Sequence, residues 1–359
     1  MSTLYDGTGS NGLAVVWDSR SKNCADSEWV MREWPLGKRA LGRTEWARTL
    51  KVALREHGTD PWTARDLKAA KDAIIRELLD RGIRCVVPVQ TAAIANIRQV
   101  HSAWNLFGHN GSPYKWAGTV ERIGEQYVMP LLNPANYEFV YGWLLERWLR
   151  QAKAIASGNL VPMPWPELNY MPSADMLAIL ERMYADPAPL AIDIETNMAG
   201  TLISAIGFSN QHGTVSVPWE AYEISGTNGQ REAAIHDYSQ GAQIARIVLK
   251  ILEDAKIPKI LHNGAFDVYQ LGRKGITLRG FDHDTLLMHR VCYPQYRHGL
   301  QQACATEFAV EPWKTLWKPP RLKTGEDVWL GCPVELRRYN CKDTYATWQL
   351  WKHLKGKLG

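Results

Sequence analysis

Leu190-Ala191-Ile192-Asp193-Ile194-Glu195-Thr196 is the stretch that decides the fold. Side chains alternate faces along a strand. Leu190, Ile192 and Ile194 therefore share one face, and Ala191, Asp193 and Glu195 share the other. An otherwise apolar strand thus points two carboxylates the same way. Like charges at about 4 Å repel by roughly 4 kcal/mol even at an effective dielectric of 20. Such a pair needs a cation, a proton or strong hydrogen-bond donors. A divalent metal is the simplest answer, because hard cations prefer carboxylate oxygens.

The flanking sequence alternates strands and helices. Leu202 to Ser209 and Thr214 to Pro218 read as two more strands, parted by the turn signal Asn210-Gln211-His212-Gly213. Ser173 is placed to cap a helix running to about Met183. Gln240 to Ala255 reads as a helix, Pro258 to His262 as a short buried strand, and Asn263 to Gly272 as a helix ending at glycine. Pro333 to Leu354 reads as a long helix with proline near its first turn. The pattern is α/β around a mixed sheet. Asn263 and Asp267 are four apart, which expects them on one helix face. Tyr339 and Asp343 repeat that spacing and can present a phenol and a carboxylate to one pocket.

Upstream, Gly158-Asn159-Leu160-Val161-Pro162-Met163-Pro164-Trp165-Pro166 has prolines at alternate positions and favours an extended connector. The expected domains are therefore 1–160 and 170–359. The first part also reads as α/β. Leu13 to Trp17, Cys85 to Val89 and Gln126 to Leu132 are expected strands. Glu45 to His57 is an expected helix, as is a region from the cap Thr63 to Arg81. Tyr137 to Lys153 is expected to be amphipathic, with Phe139, Trp143, Leu144 and Trp148 near helical spacing.

Composition sets the outer bounds. The 359 residues are 45% hydrophobic and 22% charged, as in an ordinary globular chain. No apolar run approaches the roughly 18 residues a spanning helix needs, so no membrane role is expected. The polar start Met-Ser-Thr-Leu-Tyr-Asp lacks a signal-peptide layout. Six scattered cysteines with no Cys-x-x-Cys pair argue against a zinc ribbon and read as reduced thiols in a cytoplasmic protein. The net charge of +5 lies wholly in residues 1–160, with 21 basic and 16 acidic side chains. That surplus suits a polyanion partner but fits an ordinary solvated surface equally well. Some of the 16 tryptophans could stack on bases, though most should be core.

Asp193-x-Glu195, Asn263-x-x-x-Asp267 and Tyr339-x-x-x-Asp343, in that order, resemble the three motifs of the DEDD exonuclease superfamily in its tyrosine branch. The nearest resemblance is to the 3′–5′ proofreading domain of family A DNA polymerases. Phe281-Asp282-His283-Asp284-Thr285-Leu286-Leu287-Met288 and His298-Gly299-Leu300 extend it over about 170–359. The resemblance implies a ribonuclease H-like exonuclease fold and two-metal hydrolysis of DNA from its 3′ end to nucleoside 5′-monophosphates. It implies that Asp193, Glu195 and Asp343 bind a first Mg2+, that Asp193 bridges to a second, and that Asp267 reaches the second. Mn2+ is the expected substitute. Tyr339 would hold the attacking water in line, and Asn263 would position the substrate strand. Asp284 is expected to be structural, and His262 and His298 to be hydrogen-bonding histidines rather than ligands. Taken singly, Glu195 could pair with an arginine, Tyr339 could be core and Asn263 could cap a helix; the joint pattern carries the reading.

The first part resembles uracil-DNA glycosylases more weakly. Trp34-Pro35-Leu36-Gly37-Lys38-Arg39-Ala40-Leu41-Gly42-Arg43 resembles the segment before their second helix. Cys85 to Ile94 resembles their strand-to-helix turn, with Val89 in place of glycine, and Arg122 to Leu132 with Asn133-Pro134-Ala135 resembles the last strand and its His-Pro-Ser turn. The histidine falls on Asn133, and Trp17-Asp18-Ser19-Arg20-Ser21-Lys22-Asn23 lacks the glycines of the water-activating loop. Asparagine cannot become a cation to stabilise a departing uracil anion. A non-catalytic module that contacts phosphates or docks a partner is therefore expected.

The leading expectation is a DNA 3′–5′ exonuclease in proofreading, replication or repair, acting on single strands or 3′ ends. Asp343 lies 16 residues before the end, which expects a free-standing enzyme or a subunit serving a separate DNA polymerase. Similar arrangements in bacteriophage polymerases expect a viral role in a bacterial host's cytoplasm. The alternatives are a ribonuclease D-like exoribonuclease and a catalytically idle polymerase scaffold. An idle scaffold has no physical need for mutually repelling carboxylates.

Overall fold

The computed structural model describes residues 2–18, 34–55, 64–89, 116–132, 134–197, 200–220, 222–223, 231–232, 234–314 and 333–359. The chain divides into two compact units. The first is Met1–Pro164 with Cys304–Pro312, and the second is Trp165–Ala303 with Trp313–Gly359.

The first unit is built on β1 (Ser2–Asp6), β2 (Leu13–Asp18), α1 (Pro35–Leu41), α2 (Arg43–Arg48), β3 (Leu50–Arg55) and α3 (Ala64–Asp80). β4 (Cys85–Pro88), β5 (Glu121–Ile123), β6 (Gln126–Val128) and α4 (Pro134–Ala156) follow. Its sheet runs β1-β3-β2-β4-β6-β5. The inner pairs β2–β3, β2–β4 and β4–β6 are parallel, and the edge strands β1 and β5 pair antiparallel. Ala14, Val16, Leu50, Val52, Val86 and Val128 from four strands meet Ile74 and Leu78 of α3 in one core. Each such valine, leucine or isoleucine side chain, fully buried, contributes roughly 1.5–3 kcal/mol.

The sequence misplaces one element here. The expected helix 45–57 is a short helix followed by strand β3. Trp46, Leu50, Ala53 and Leu54 imitate helical spacing. Pairing with β1 on one side and β2 on the other overrides it, because strand preference is decided by such neighbours. The apolar stripe of α4 is also half right: Leu144 and Trp148 are buried, whereas Phe139 is fully exposed. Asn133, residues 19–23 and residues 90–94 lie outside the described residues, so the turn and loop comparisons with glycosylases fall there.

The second unit contains α5 (Ala174–Ala185), β7 (Leu190–Thr196), β8 (Ile203–Asn210) and β9 (Gly213–Pro218). A two-residue ladder, β10 (Tyr222–Glu223) with β11 (Arg231–Glu232), precedes α6 (Gly241–Glu253) and β12 (Lys259–Leu261). Then come α7 (Ala265–Arg273), β13 (Phe281–Asp284), α8 (Thr285–Cys292), α9 (Leu300–Glu307, which passes into the first unit) and α10 (Pro333–Leu358). The sheet order is β13-β12-β7-β8-β9. β7, β8 and β9 form an antiparallel meander, while β12 and β13 add in parallel on the other side of β7. This mixed sheet is the arrangement expected for a ribonuclease H-like exonuclease fold. Ser173 caps α5, its side chain accepting from Met176 N. The apolar stripe Ile244, Val248, Ile251 and Leu252 of α6 packs with Leu190, Ile192 and Ile194 in a single core. The opposite face of β7, carrying the carboxylates, lies toward α10. No helix among the described residues is long and apolar enough to cross a membrane.

Candidate active site

β7 places Asp193 and Glu195 on the face opposite the core, as strand alternation requires. α10 supplies Asp343. These three residues offer carboxylate oxygens that all lie within 4.8 Å of one another. Asp267, near the start of α7, is buried beside the same strand and accepts a hydrogen bond from Ile194 N at 3.0 Å. It stands outside the three-carboxylate group but is close enough to Asp193 to disfavour its charge. Tyr339, one turn before Asp343 on α10, shares a partner with it: Lys314 Nζ donates to Tyr339 Oη at 2.8 Å and to Asp343 Oδ2 at 2.9 Å.

Burial and mutual repulsion shape the electrostatics. Desolvation, then Glu195, Asp343 and Asp267, raise Asp193 well above the usual carboxylate range. Desolvation and Asp343 push Glu195 up to about 8. Desolvation lifts Asp267 to about 7, against the lowering effect of its bond from Ile194. Burial also raises the Tyr339 phenol, so it stays protonated. Burial works against the Lys314 ammonium, but Asp343 and Tyr339 more than offset it and raise it well above the ordinary lysine value. The group holds three hard oxygen donors and too little positive charge to balance them. That donor set fits Mg2+ or Mn2+.

Asn263 departs from its expected place. It is not on the helix but precedes it, exposed, with φ of 64°, the one positive value at a non-glycine among the described residues. Asn tolerates that left-handed conformation better than most residues. Asp284 stabilises the turn, accepting from Asn263 N at 3.1 Å and Gly264 N at 2.9 Å while capping α8 through Leu286 N. His262 pairs with Thr285 Oγ1 at 2.9 Å, and His289 with His298 at 2.9 Å.

Three further residues belong to the site and have no counterpart in the sequence reading. Asn340 Nδ2 donates to Asp193 Oδ2 at 2.7 Å and to its carbonyl at 3.1 Å, and Asn340 Oδ1 accepts from Ser216 Oγ at 2.6 Å. Asn340 sits over Gly207, the cross-strand partner of Asp193; a Cβ on Gly207 would meet Asn340 Oδ1 at 2.4 Å. Trp313 Nε1 donates to Asp343 Oδ1 at 2.5 Å. Lys314 completes the set. Asn340 had a readable signal, a polar residue between Tyr339 and Asp343 in a helix that packs on the sheet. Trp313 and Lys314 had none, because nothing local ties them to a residue about 30 positions later.

Residues 171–359 match the family model for the 3′–5′ exonuclease domain of family A DNA polymerases, over half of the chain. The chain belongs to this 3′–5′ exonuclease family. Solved structures similar to this exonuclease include Trypanosoma brucei RNase D in a GMP complex, at 14% identity and TM-score 0.39, covering 53% of this chain and 57% of that one. Brucella melitensis NrnC with bound Mg2+ has 16% identity and TM-score 0.32, with 53% and 79% covered. The POL domain of Pol1 from M. smegmatis, in complex with DNA primer-template and dNTP, has 14% identity and TM-score 0.34. That match covers 54% of this exonuclease chain but spans only 27% of the Pol1 chain. No curated protein matches it.

Proposed function

We propose that this protein is a metal-dependent 3′–5′ exonuclease that hydrolyses DNA from its 3′ end, releasing nucleoside 5′-monophosphates. The observation that carries the reading is the convergence of Asp193, Glu195 and Asp343 within 4.8 Å, one turn from Tyr339. In this reading those three carboxylates hold a first Mg2+ or Mn2+, and Asp193 with Asp267 serves a second. Bound there, the ions would supply Lewis acidity to the scissile phosphate and to the attacking water. Asn340 fixes the rotamer of Asp193 through one hydrogen bond to Oδ2 and is itself anchored by a second to the main-chain carbonyl of Asp193. Trp313 holds Asp343 through one hydrogen bond to Oδ1. Tyr339, kept protonated by burial, is a donor that can orient a water in line with the phosphate. Asn263, exposed on its turn, is available to the substrate strand.

The phosphodiester is common to DNA and RNA, so the DNA assignment rests on the resemblance to polymerase proofreading domains. In the same reading the enzyme serves proofreading or end processing, in a bacteriophage setting, with a separate polymerase as partner. The first unit is read as a glycosylase-like, non-catalytic module. The basic surplus of five in residues 1–160 supports a docking or phosphate-contacting role. The test is incubation of a 5′-labelled single strand with the protein and Mg2+, beside an EDTA control and a matched RNA. A ladder shortening from the 3′ end, lost with EDTA, is expected. Preferential decay of the RNA would reassign the substrate, and no ladder in Mg2+ or Mn2+ would leave a scaffold.

A further inference from the structure

Asp343 has both oxygens engaged within its own unit. Trp313 Nε1 holds Oδ1 at 2.5 Å, and Lys314 Nζ holds Oδ2 at 2.9 Å. The two donors differ in their freedom to leave. The Trp313 indole is 2% exposed, packs edge-on against Trp165 with ring centroids 5.3 Å apart, and its backbone N donates to Gln301 Oε1 at 3.0 Å. Lys314 is about a third exposed at its side chain and ends a flexible four-carbon stem. A carboxylate oxygen can accept two hydrogen bonds, but an ammonium and a divalent ion in contact with the same oxygen repel each other directly. The ammonium also donates to Tyr339 Oη and lies 5.1 Å from the centre of its ring.

We propose that Lys314 is the resident cation of the carboxylate group, which a divalent ion must displace from Asp343 Oδ2, and that this displacement also frees the Tyr339 hydroxyl. The proposal rests on the metal-binding reading of the site. One side chain thereby ties two events together: the exchange of a single for a double positive charge, and the release of the phenol for its water. Trp313 stays in place throughout and keeps Asp343 in its rotamer. The resident cation keeps the carboxylates from splaying apart before the ion arrives, and it weakens the apparent affinity for that ion.

The test uses the metal-stripped full-length chain titrated with MnCl2 in a calorimeter. Wild type is compared with Lys314→Met, Lys314→Gln and Asp193→Asn. Both neutral variants at 314 should bind Mn2+ about tenfold or more tightly than wild type, since a competing charge is gone. Wild type binding Mn2+ while both neutral variants bind equally or more weakly would overturn the proposal and leave the metal site standing. Wild type binding no better than Asp193→Asn would overturn the metal reading and the proposal together. A second measurement needs no variant: amine-reactive labelling of wild type, located by mass spectrometry. Labelling of Lys314 should rise several-fold when Mn2+ is added, and labelling indifferent to Mn2+ would also overturn the proposal.

Discussion

Glu195 and Asp267 carry their protons to near-neutral pH in the folded chain, at about 8 and about 7. In the unfolded chain both would ionise near pH 4, about where free carboxyls do. The folded form therefore binds more protons than the unfolded form across that interval, and stability falls as pH rises. Burial holds His262 at about 4 and His289 at about 3, which opposes this trend below about pH 6.5. The melting temperature of the metal-free protein should therefore decline between about pH 6.5 and pH 8, and added Mn2+ should raise it most at the upper end; a rising profile over that interval would contradict the burial of these carboxyls. Glu195→Gln removes a repelling charge without changing shape. It should leave metal-free stability at pH 8 unchanged or higher in a thermal melt, while cutting 3′-end hydrolysis at least about 100-fold. Asn340 gives a sharper residue-level test. Asn340→Leu leaves every carboxylate in place but strips Asp193 of its orienting amide, so hydrolysis should fall while circular dichroism still reports a folded chain. Activity equal to wild type would remove Asn340 from the site.

At the scale of elements, what could be read in the sequence followed periodicity. β7 was legible because apolar and acidic residues alternate strictly from Ile192 to Glu195, and no helix places such residues on two clean faces. Ser173 was legible because a hydroxyl before an apolar stripe satisfies free helix N–H groups. The turn at Asn263 was not, because a left-handed residue between strand and helix leaves no periodic trace. β3 was misread because its pairing partners lie far along the chain. The carboxylates of the site belong to elements that periodicity finds, whereas Lys314 and Trp313 precede α10 on irregular chain and act across the fold. Asp284 couples two elements at once, accepting from the turn before α7 and from the first turn of α8. Asp284→Ala should cost about 1–3 kcal/mol in urea unfolding, more than an ordinary cap, because the N–H groups of Asn263 and Gly264 lose their acceptor as well. A loss below half a kcal/mol would show that water replaces it.

For the whole molecule, the telling feature is that Cys304–Pro312 belongs to the first unit although the sequence places it deep within the second. Val310 accepts from Val120 N at 2.8 Å, Ala309 from Met163 N at 2.8 Å, and the Ala305 carbonyl from Trp148 Nε1 at 2.7 Å. Arg147 donates to the carbonyl of Glu307 at 2.7 Å. A fragment beginning at Trp165 would carry this segment without those partners. It should melt below the intact chain in a fluorescence-monitored scan, and a fragment ending at Pro164 should do the same. Domains are generally completed in the order in which they emerge from the ribosome. Here the first unit must wait: Trp148 and Val120 meet their partners Ala305 and Val310 only after a segment from deep within the second unit has been translated, so the earlier unit cannot finish folding before much of the later one has been made.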